Sequence, residues 1–291
     1  MLRKLLLTTT MLATSASFAC TVDGTEGIVE DNNLWIAPNA KSISSIDEVE
    51  FNAVIDKVVK VYEPIIAAEG AKLDVARNWN DGTVNAYASR SGNTWNVHMF
   101  GGLARHEAIT SDGFALVVCH EIGHHIGGAP KKTSWGGMVR WATNEGQADY
   151  WATLKCLRKA WRGEDHAAVL ATLEVPETVV DSCAAQFTDS DERLICQRGA
   201  MAGLSTAKLF QALRNQSTAP DFTTPDANEV SKTNHNHPET QCRLDTYFQG
   251  AICSLSEMVD VDQEDATAGV CNRSAGDLTG VRPLCWFKPA N

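Results

Sequence analysis

The chain has 291 residues, and 44% of them are hydrophobic, which is enough apolar material to bury the core of one large domain or two small ones. Its formal net charge of −11 repels phosphate backbones, so we expect no nucleic-acid partner. Lysines and arginines are scattered along the chain. The densest pairs, Lys131-Lys132 and Arg158-Lys159, are interpreted as solvated surface.

The first nineteen residues have the pattern of an export signal. Arg3 and Lys4 form its charged start, residues 5–13 its short apolar stretch and residues 17–19 its small-residue cleavage site. We therefore expect a periplasmic or extracellular protein whose mature chain begins at Cys20. An outer-membrane lipoprotein anchored through Cys20 is the alternative. No later segment has the roughly 18 uninterrupted apolar residues of a membrane span, so no transmembrane segment is expected after signal removal.

The chain contains nine cysteines, and in an exported protein this number predicts disulfides. Because the count is odd, one cysteine has to stay unpaired. We expect this to be Cys119, which lies in an apolar helical run where a buried thiol simply packs. The other eight allow four bridges, and the sequence leaves their pairing open: Cys20, Cys156, Cys183, Cys196, Cys242, Cys253, Cys271 and Cys285.

The elements in the first half of the chain are a helix, a strand pair and a second helix. Apolar residues at helical spacing predict an amphipathic helix over residues 46–68. Residues 83–89 and 95–100 have strand character and are separated by a polar turn, which predicts a β-hairpin. A helix is predicted over residues 113–126, with Ser111 or Asp112 as its N-cap.

The second half is predicted to be mostly helical. Residues 131–140 are interpreted as a loop and residues 144–161 as a strong helix. Further helices are expected over residues 189–214 and 241–258, with a polar loop at 217–238 between them. The last thirty residues are expected to form an irregular tail held by Cys271 and Cys285. The predicted fold class is therefore α+β, mainly α with a small β-hairpin or sheet.

A metal-binding pattern lies on the helix predicted at residues 113–126. His120 and His124 are four residues apart, so both imidazoles lie on one helical face and can bind the same zinc ion. Glu121 follows the first histidine and can act as general base on water. His125 points roughly 100° around the helix from His124 and is interpreted as a packing or surface residue.

The next helix carries two more acidic residues, Glu145 and Asp149, which lie 21 and 25 residues after His124. They share a helical face, so Glu145 can supply a third metal ligand while Asp149 orients a ligand histidine. Two histidines and one glutamate leave a fourth zinc position for water, which is the arrangement of catalytic sites. The alternative interpretation is a pair of solvated helix carboxylates.

Five motifs follow one another along the chain. They are Val84-Asn85-Ala86-Tyr87-Ala88, Gly101-Gly102, His120-Glu121-x-x-His124, Glu145-x-x-x-Asp149, and His237-Pro238 followed by Arg243. Their order resembles that of a known family, the HtpX-like and BepA-like gluzincin peptidases, over roughly residues 45–255. Tyr87 replaces the phenylalanine usual in that family. The sequence has neither the membrane-embedded segment of the HtpX-like proteins nor the helical repeat array of the BepA-like ones.

The resemblance implies a gluzincin-type core that binds one Zn²⁺ per chain through His120, His124 and Glu145. It also implies that His237 lies over the metal and that Arg243 faces the oxyanion that develops during hydrolysis. The expected organisation is an N-terminal segment at residues 20–44, a metallopeptidase domain at 45–255 and a Cys-containing tail at 256–291.

The functional hypothesis is a zinc metalloendopeptidase acting on polypeptide substrates, with Glu121 as general base. Residues 95–100 are expected to form an edge strand beside the cleft, where an extended or unfolded substrate pairs by β-augmentation. Two alternatives remain open: a catalytically silent, zinc-stabilised chaperone or binding protein, and a disulfide-rich surface-binding protein with an accidental motif. Residues 21–44 are either an inhibitory arm or a tether.

Overall fold

The computed structural model describes residues 27–40, 44–133 and 138–290, so the predicted export signal and Cys20 lie outside the described residues. The fold is α+β, with helices predominating. The helices are α1 Glu48–Ala68, α2 Gly101–Ala104, α3 Ser111–Ile126, α4 Glu145–Trp151, α5 Leu157–Ala160, α6 His166–Leu170, α7 Glu177–Gln186, α8 Ser190–Leu213 and α9 Thr240–Ile252. The strands are β1 Lys72–Asn78, β2 Ala86–Ser91, β3 Thr94–Phe100, β4 Lys131–Thr133 and β5 Val139–Thr143.

Helix α1 confirms the first predicted helix. The Asp47 side chain caps it by accepting a hydrogen bond from the Glu50 amide at 2.8 Å. Its apolar stripe packs against α3, which fixes α1 as one wall of the main core. The buried residues of α1 are Phe51, Val54, Ile55, Val58, Tyr62 and Ile66.

The sheet contains the predicted hairpin and one strand that the sequence pattern did not indicate. Strands β2 and β3 pair antiparallel, while β1 pairs parallel with β3 and gives the order β1-β3-β2. The expectation that residues 95–100 form an edge strand is therefore wrong, because β3 has a partner on each side. The edge strand on the hairpin side is β2.

Residues 131–140 contain strand structure where a loop was expected. Strand β4 pairs antiparallel with β5, and Lys131 lies opposite Thr143. This short ribbon leads directly into α4, whose N-cap Asn144 accepts a hydrogen bond from the Gln147 amide at 2.9 Å. The N-cap of α4 therefore follows directly after the last residue of β5.

The central element is α3, which contacts α1, α4, α8 and the sheet. Its N-cap is Thr110, whose hydroxyl accepts from the Gly113 amide at 3.0 Å. The predicted N-caps Ser111 and Asp112 lie in its first turn. Helix α4 continues through a π-helical segment, Ala152–Cys156, into α5, so the strong helix predicted after residue 144 is confirmed with a local irregularity.

Four disulfides link the described residues, and one of them corrects an expectation. Cys119 is not free: it bonds to Cys156 and joins α3 to the π-helical segment beside it. The helical run that predicted a packed thiol does bury Cys119, but against another helix that presents a second cysteine. The bridges are Cys119–Cys156, Cys183–Cys196, Cys242–Cys285 and Cys253–Cys271.

The C-terminal tail is held to α9 and its end by two of these bridges, as expected for an irregular segment. Helix α9 ends at Ile252, shorter than the predicted 241–258. Disulfides of this kind indicate an oxidising compartment. Among the described residues, the helices are all too short or too polar to cross a bilayer.

Candidate metal centre

Two imidazoles and one carboxylate meet at the junction of α3 and α4. His120 Nε2 lies 3.1 Å from Glu145 Oε2, and His124 Nε2 lies 3.6 Å from Glu145 Oε1. All three side chains are buried, and one ligand atom from each lies within 4.8 Å of the others. Ligand atoms about 3.3 Å apart surround a tetrahedral zinc with bonds near 2.0–2.1 Å. The group therefore has the size of a metal site.

The outer ring nitrogens of both histidines have acceptors that set the orientation of the rings. His124 Nδ1 donates to the Thr143 carbonyl at 2.8 Å, and His120 Nδ1 lies 2.7 Å from Asp149 Oδ1. When each ring is neutral with its proton on Nδ1, the lone pair of each Nε2 faces Glu145. Partners of this type fix the tautomer and raise the basicity of a metal-ligating histidine.

Buried polar atoms without hydrogen-bond partners mark the same place. His124 Nε2 and both carboxylate oxygens of Glu121 lack a hydrogen-bond partner among the described residues. Glu121 Oε2 is 4.0 Å from His124 Nε2. Buried polar atoms are normally satisfied, and an absent ion or water is a common reason when they are not. The residues present therefore fit a metal ion with solvent beside Glu121.

Burial and neighbouring charges shift the acid–base behaviour of this group in the metal-free protein. Burial raises the pKa of Glu121 to about 8. Burial opposes the charged form of His120, but the Asp149 carboxylate outweighs it and raises the pKa of His120 to about 9. For Glu145 burial also favours the neutral form, yet the nearby cations, Lys132 first, hold its pKa well below the usual range.

Asp149 is itself fixed by two residues of α9. Arg243 donates to both carboxylate oxygens at 2.8 Å, and the Tyr247 hydroxyl donates to Oδ1 at 2.7 Å. The guanidinium also stacks over Phe210, 3.9 Å from the ring centroid. Arg243 therefore contacts Asp149 and is linked through it to the candidate ligand His120.

His237 lies in the polar segment that precedes α9. Its Nε2 atom is 3.4 Å from Glu145 Oε2 and donates to the Gly27 carbonyl at 2.8 Å. All seven predicted site residues therefore belong to one contiguous cluster: His120, Glu121, His124, Glu145, Asp149, His237 and Arg243.

His125 packs against aromatic rings, in agreement with its interpretation from the helical phase. Its ring stacks between Trp95 and Trp141, with centroids 5.2 and 4.9 Å away. Arg90 donates to His125 Nδ1 at 3.2 Å, and His125 Nε2 donates to the Asn96 carbonyl at 3.2 Å. His125 therefore ties the zinc-motif helix to the sheet.

Lys132 is a site residue that the sequence pattern did not reveal. Its ammonium nitrogen lies 2.7 Å from Glu145 Oε1, although the Lys131-Lys132 pair was interpreted as solvated surface. This position depends on the β4–β5 ribbon, and a lysine pair in sequence carries no signal of such a contact.

A second group of potential ligand atoms has no metal-binding chemistry. It consists of Asp226, Cys242 and Cys285. The two cysteines form a disulfide with each other, so they have no thiolate to offer a metal ion.

Comparisons with known proteins do not identify a family for this chain. No protein-family model matches the sequence, and neither the curated proteins nor the solved structures include a significant match. The likeness to gluzincin peptidases therefore rests on the residues themselves and on the cluster that they form.

Proposed function

We propose that the protein is a zinc-dependent metalloendopeptidase that hydrolyses peptide bonds in unfolded or extended polypeptides. The observation that carries the proposal is the geometry of one motif. His120 and His124 direct their Nε2 atoms at the two oxygens of Glu145, and the Glu121 carboxylate stands beside them without a partner. A site that only stored a metal would have no use for Glu121.

The donor set supports zinc as the resident ion. Two imidazole nitrogens and one carboxylate oxygen are typical ligands of catalytic zinc, which keeps a further position for water or substrate. Fixed outer partners for both histidines support the same choice, since they reduce the cost of ordering the ligands. When bound, zinc supplies a Lewis acid that polarises a carbonyl and lowers the pKa of water.

Glu121 is assigned the proton transfers. Its carboxylate accepts a proton from the attacking water and returns that proton to the nitrogen of the leaving amine. Burial raises the pKa of Glu121 to about 8 in the metal-free protein, toward the working range of a general base. Beside a bound cation Glu121 would be ionised and able to accept the first proton.

The two downstream residues have different tasks in this proposal. His237 presents an N–H beside Glu145, where it can donate to a carbonyl of the substrate. Arg243 was expected to face the oxyanion, but its Nε and Nη2 atoms donate to Asp149, and only Nη1 contacts a backbone carbonyl, that of Ile28. We therefore assign Arg243 two tasks: it positions His120 through Asp149, and its Nη1 can donate to a peptide carbonyl.

The proposed setting is outside the cytoplasm. The export pattern of the first nineteen residues and the four disulfides both support a periplasmic or extracellular peptidase. Membership in the gluzincin peptidases is part of the same proposal and is supported by the residues that the chain shares with them.

Metal content and cleavage test the proposal together. Purified protein is expected to retain one zinc per chain after dialysis and to cleave denatured casein. 1,10-Phenanthroline should abolish cleavage, and added zinc should restore it. His120→Ala is expected to lose both zinc and cleavage, while the matched control His166→Ala, at the start of α6, keeps both. Retained zinc without cleavage by the wild type would favour the zinc-stabilised binding protein instead.

A further inference from the structure

Residues 27–29 form a short segment, with bends at Ile28 and Val29, that lies buried at the candidate site. The Gly27 carbonyl accepts a hydrogen bond from His237 Nε2 at 2.8 Å. The next carbonyl, that of Ile28, accepts from Arg243 Nη1 at 2.6 Å. Two successive backbone carbonyls therefore contact two of the predicted site residues.

Both contacts connect the segment, through intermediate residues, to the candidate metal ligands. His237 Nε2 is also 3.4 Å from Glu145 Oε2, so one imidazole nitrogen lies between a ligand carboxylate and the Gly27 carbonyl. Arg243 holds Asp149, which lies 2.7 Å from His120. The segment is thus linked to Glu145 through one residue, His237, and to His120 through two, Arg243 and Asp149.

The other side of the segment pairs with the chain just before and at the start of β2. The Ile28 amide donates to the Ala86 carbonyl at 2.9 Å. Asn85 uses its side-chain amide as a backbone would: it accepts from the Val29 amide at 3.4 Å and donates to the Val29 carbonyl at 3.2 Å. These contacts place residues 27–29 at the open edge of the sheet, where an extended peptide can add by β-augmentation.

Residues 27–29 pack closely against their neighbours and cover part of the candidate site. A Cβ atom on Gly27 would lie 2.2 Å from Asn85 Oδ1 and 2.4 Å from the Ala86 carbonyl. Ile28 is 0% exposed and belongs to the main apolar core, as do Val84 and Ala86. Residues 27–29 therefore cover the buried ligand group where His237 and Arg243 approach it.

We propose that residues 27–29 occupy the peptide-binding site of the enzyme as an internal stand-in for substrate. This inference rests on the proposed peptidase function. The segment withdraws before a substrate binds, and the substrate then offers successive carbonyls to His237 and Arg243. The place of Ile28 becomes an enclosed subsite that selects an aliphatic side chain, next to a position where only glycine fits.

Two substitutions are designed to displace residues 27–29 from the candidate site, each by a different physical effect. Gly27→Val introduces a clash with Asn85 and Ala86, whereas Ile28→Ser removes apolar burial without adding bulk. Leu34→Ser is the control, because Leu34 belongs to the same N-terminal region but is 40% exposed. Circular dichroism and thermal melting establish that each variant is folded.

Zinc release gives a reading that does not depend on catalysis. Dipicolinic acid should remove zinc about tenfold faster from Gly27→Val and Ile28→Ser than from wild type, since access scales with the open fraction. Casein cleavage should rise by a similar factor, and Leu34→Ser should match wild type in both. Wild-type rates of zinc release in both folded variants overturn the inference. Faster zinc release with no cleavage by any form would instead overturn the peptidase function and leave the covering segment standing.

A synthetic peptide tests the subsite directly. A peptide of residues 24–33 should inhibit casein cleavage by Gly27→Val and slow its zinc release, because it refills the vacated place. The same peptide carrying Ile28→Asp should do neither, since a charge is excluded from an apolar subsite. Equal effects of the two peptides, or none from either, contradict the aliphatic subsite.

Discussion

Arg243 binds Asp149 through two parallel hydrogen bonds, both 2.8 Å long, and neither residue is exposed to solvent. Burial alone would raise the pKa of Asp149, but the guanidinium holds it below its usual value. The resulting carboxylate lies 2.7 Å from His120 Nδ1. A residue of α9 thereby sets the orientation of a candidate metal ligand on α3.

This relationship predicts the effect of replacing Arg243. Arg243→Lys substitutes a point charge for the planar fork, so Asp149 loses one of the two hydrogen bonds from the guanidinium and His120 loses its fixed orientation. Zinc affinity, measured by competition with a fluorescent chelator, is expected to fall by about 10- to 100-fold. Arg77→Lys, on a surface pair with Asp56, is the matched control and should bind zinc as wild type does. Equal affinities in the two variants would contradict the positioning role.

The C-terminal tail packs against the start of α4 at a glycine next to Glu145. Gly146 follows Glu145 at the start of α4, and a Cβ there would lie 2.3 Å from the Trp286 ring. Gly146→Ala is therefore expected to lower the free energy of unfolding by about 1–3 kcal/mol and to weaken zinc binding. Urea denaturation and chelator competition measure the two effects.

The control for this change is Gly199→Ala, inside α8. There the added Cβ meets the Ala251 Cβ at 3.5 Å, an ordinary contact. Alanine favours a helix interior by roughly 0.5–1 kcal/mol over glycine, so this variant should be more stable and bind zinc normally. If Gly146→Ala behaves like Gly199→Ala, the tail does not hold Glu145 in place.

Zinc binding is expected to release protons. In the metal-free protein at pH 7 both His120, with a pKa of about 9, and Glu121, with a pKa of about 8, carry a proton. A histidine binds metal only through a neutral nitrogen, so zinc displaces the His120 proton. Calorimetric titration at pH 7, in two buffers of different ionisation enthalpy, should show release of at least one proton per zinc. Zinc binding with no proton release would contradict this electrostatic description.

The same pKa values set the pH dependence of stability without zinc. The pKa of His120 is raised above its unfolded value near 6.5, so its contribution is complete below pH 6.5 and is lost as pH rises through about 9. Glu121 acts in the same direction, since its folded pKa is also raised. The chelated protein should therefore lose thermal stability between pH 7 and 9, and the zinc-loaded protein should lose less. A flat profile for the chelated protein would be inconsistent with both assignments.

The Cys119–Cys156 bridge should matter to both stability and metal binding. It closes a separation of 37 residues, which corresponds to roughly 4 kcal/mol on the chain-entropy scale. Cys183–Cys196 closes 13 residues, or roughly 3 kcal/mol. Replacing either pair by alanine should destabilise the protein. Only loss of the first pair should also lower zinc affinity, because that bridge joins the two helical stretches that carry the ligands. Equal zinc affinities would contradict its role at the site.

Local signals explain which elements the sequence could predict. The apolar spacing of α1, the polar turn between β2 and β3, and the glycines after α3 each act within a few residues. The candidate site was predicted from helical spacing. His120 and His124 are four residues apart, as are Glu145 and Asp149, so each pair shares one face of its helix.

The features that were missed depend on contacts between distant residues. Strand β1 forms by parallel pairing with β3, which leaves no turn between them as a signal. Cys119 bonds to a residue 37 positions away, and Lys132 reaches Glu145 only through the β4–β5 ribbon. Gly27 is more than 200 residues from His237, its partner at the site.

Glu121→Gln tests the central claim most directly. Glutamine keeps the shape of the side chain but cannot accept the proton, and Glu121 is not among the candidate metal ligands, His120, His124 and Glu145. The variant should therefore retain one zinc per chain, by plasma mass spectrometry, while its rate of casein cleavage falls by about 10²–10⁴-fold. Zinc bound equally by both forms, together with equal cleavage, would contradict the assignment of Glu121 as general base.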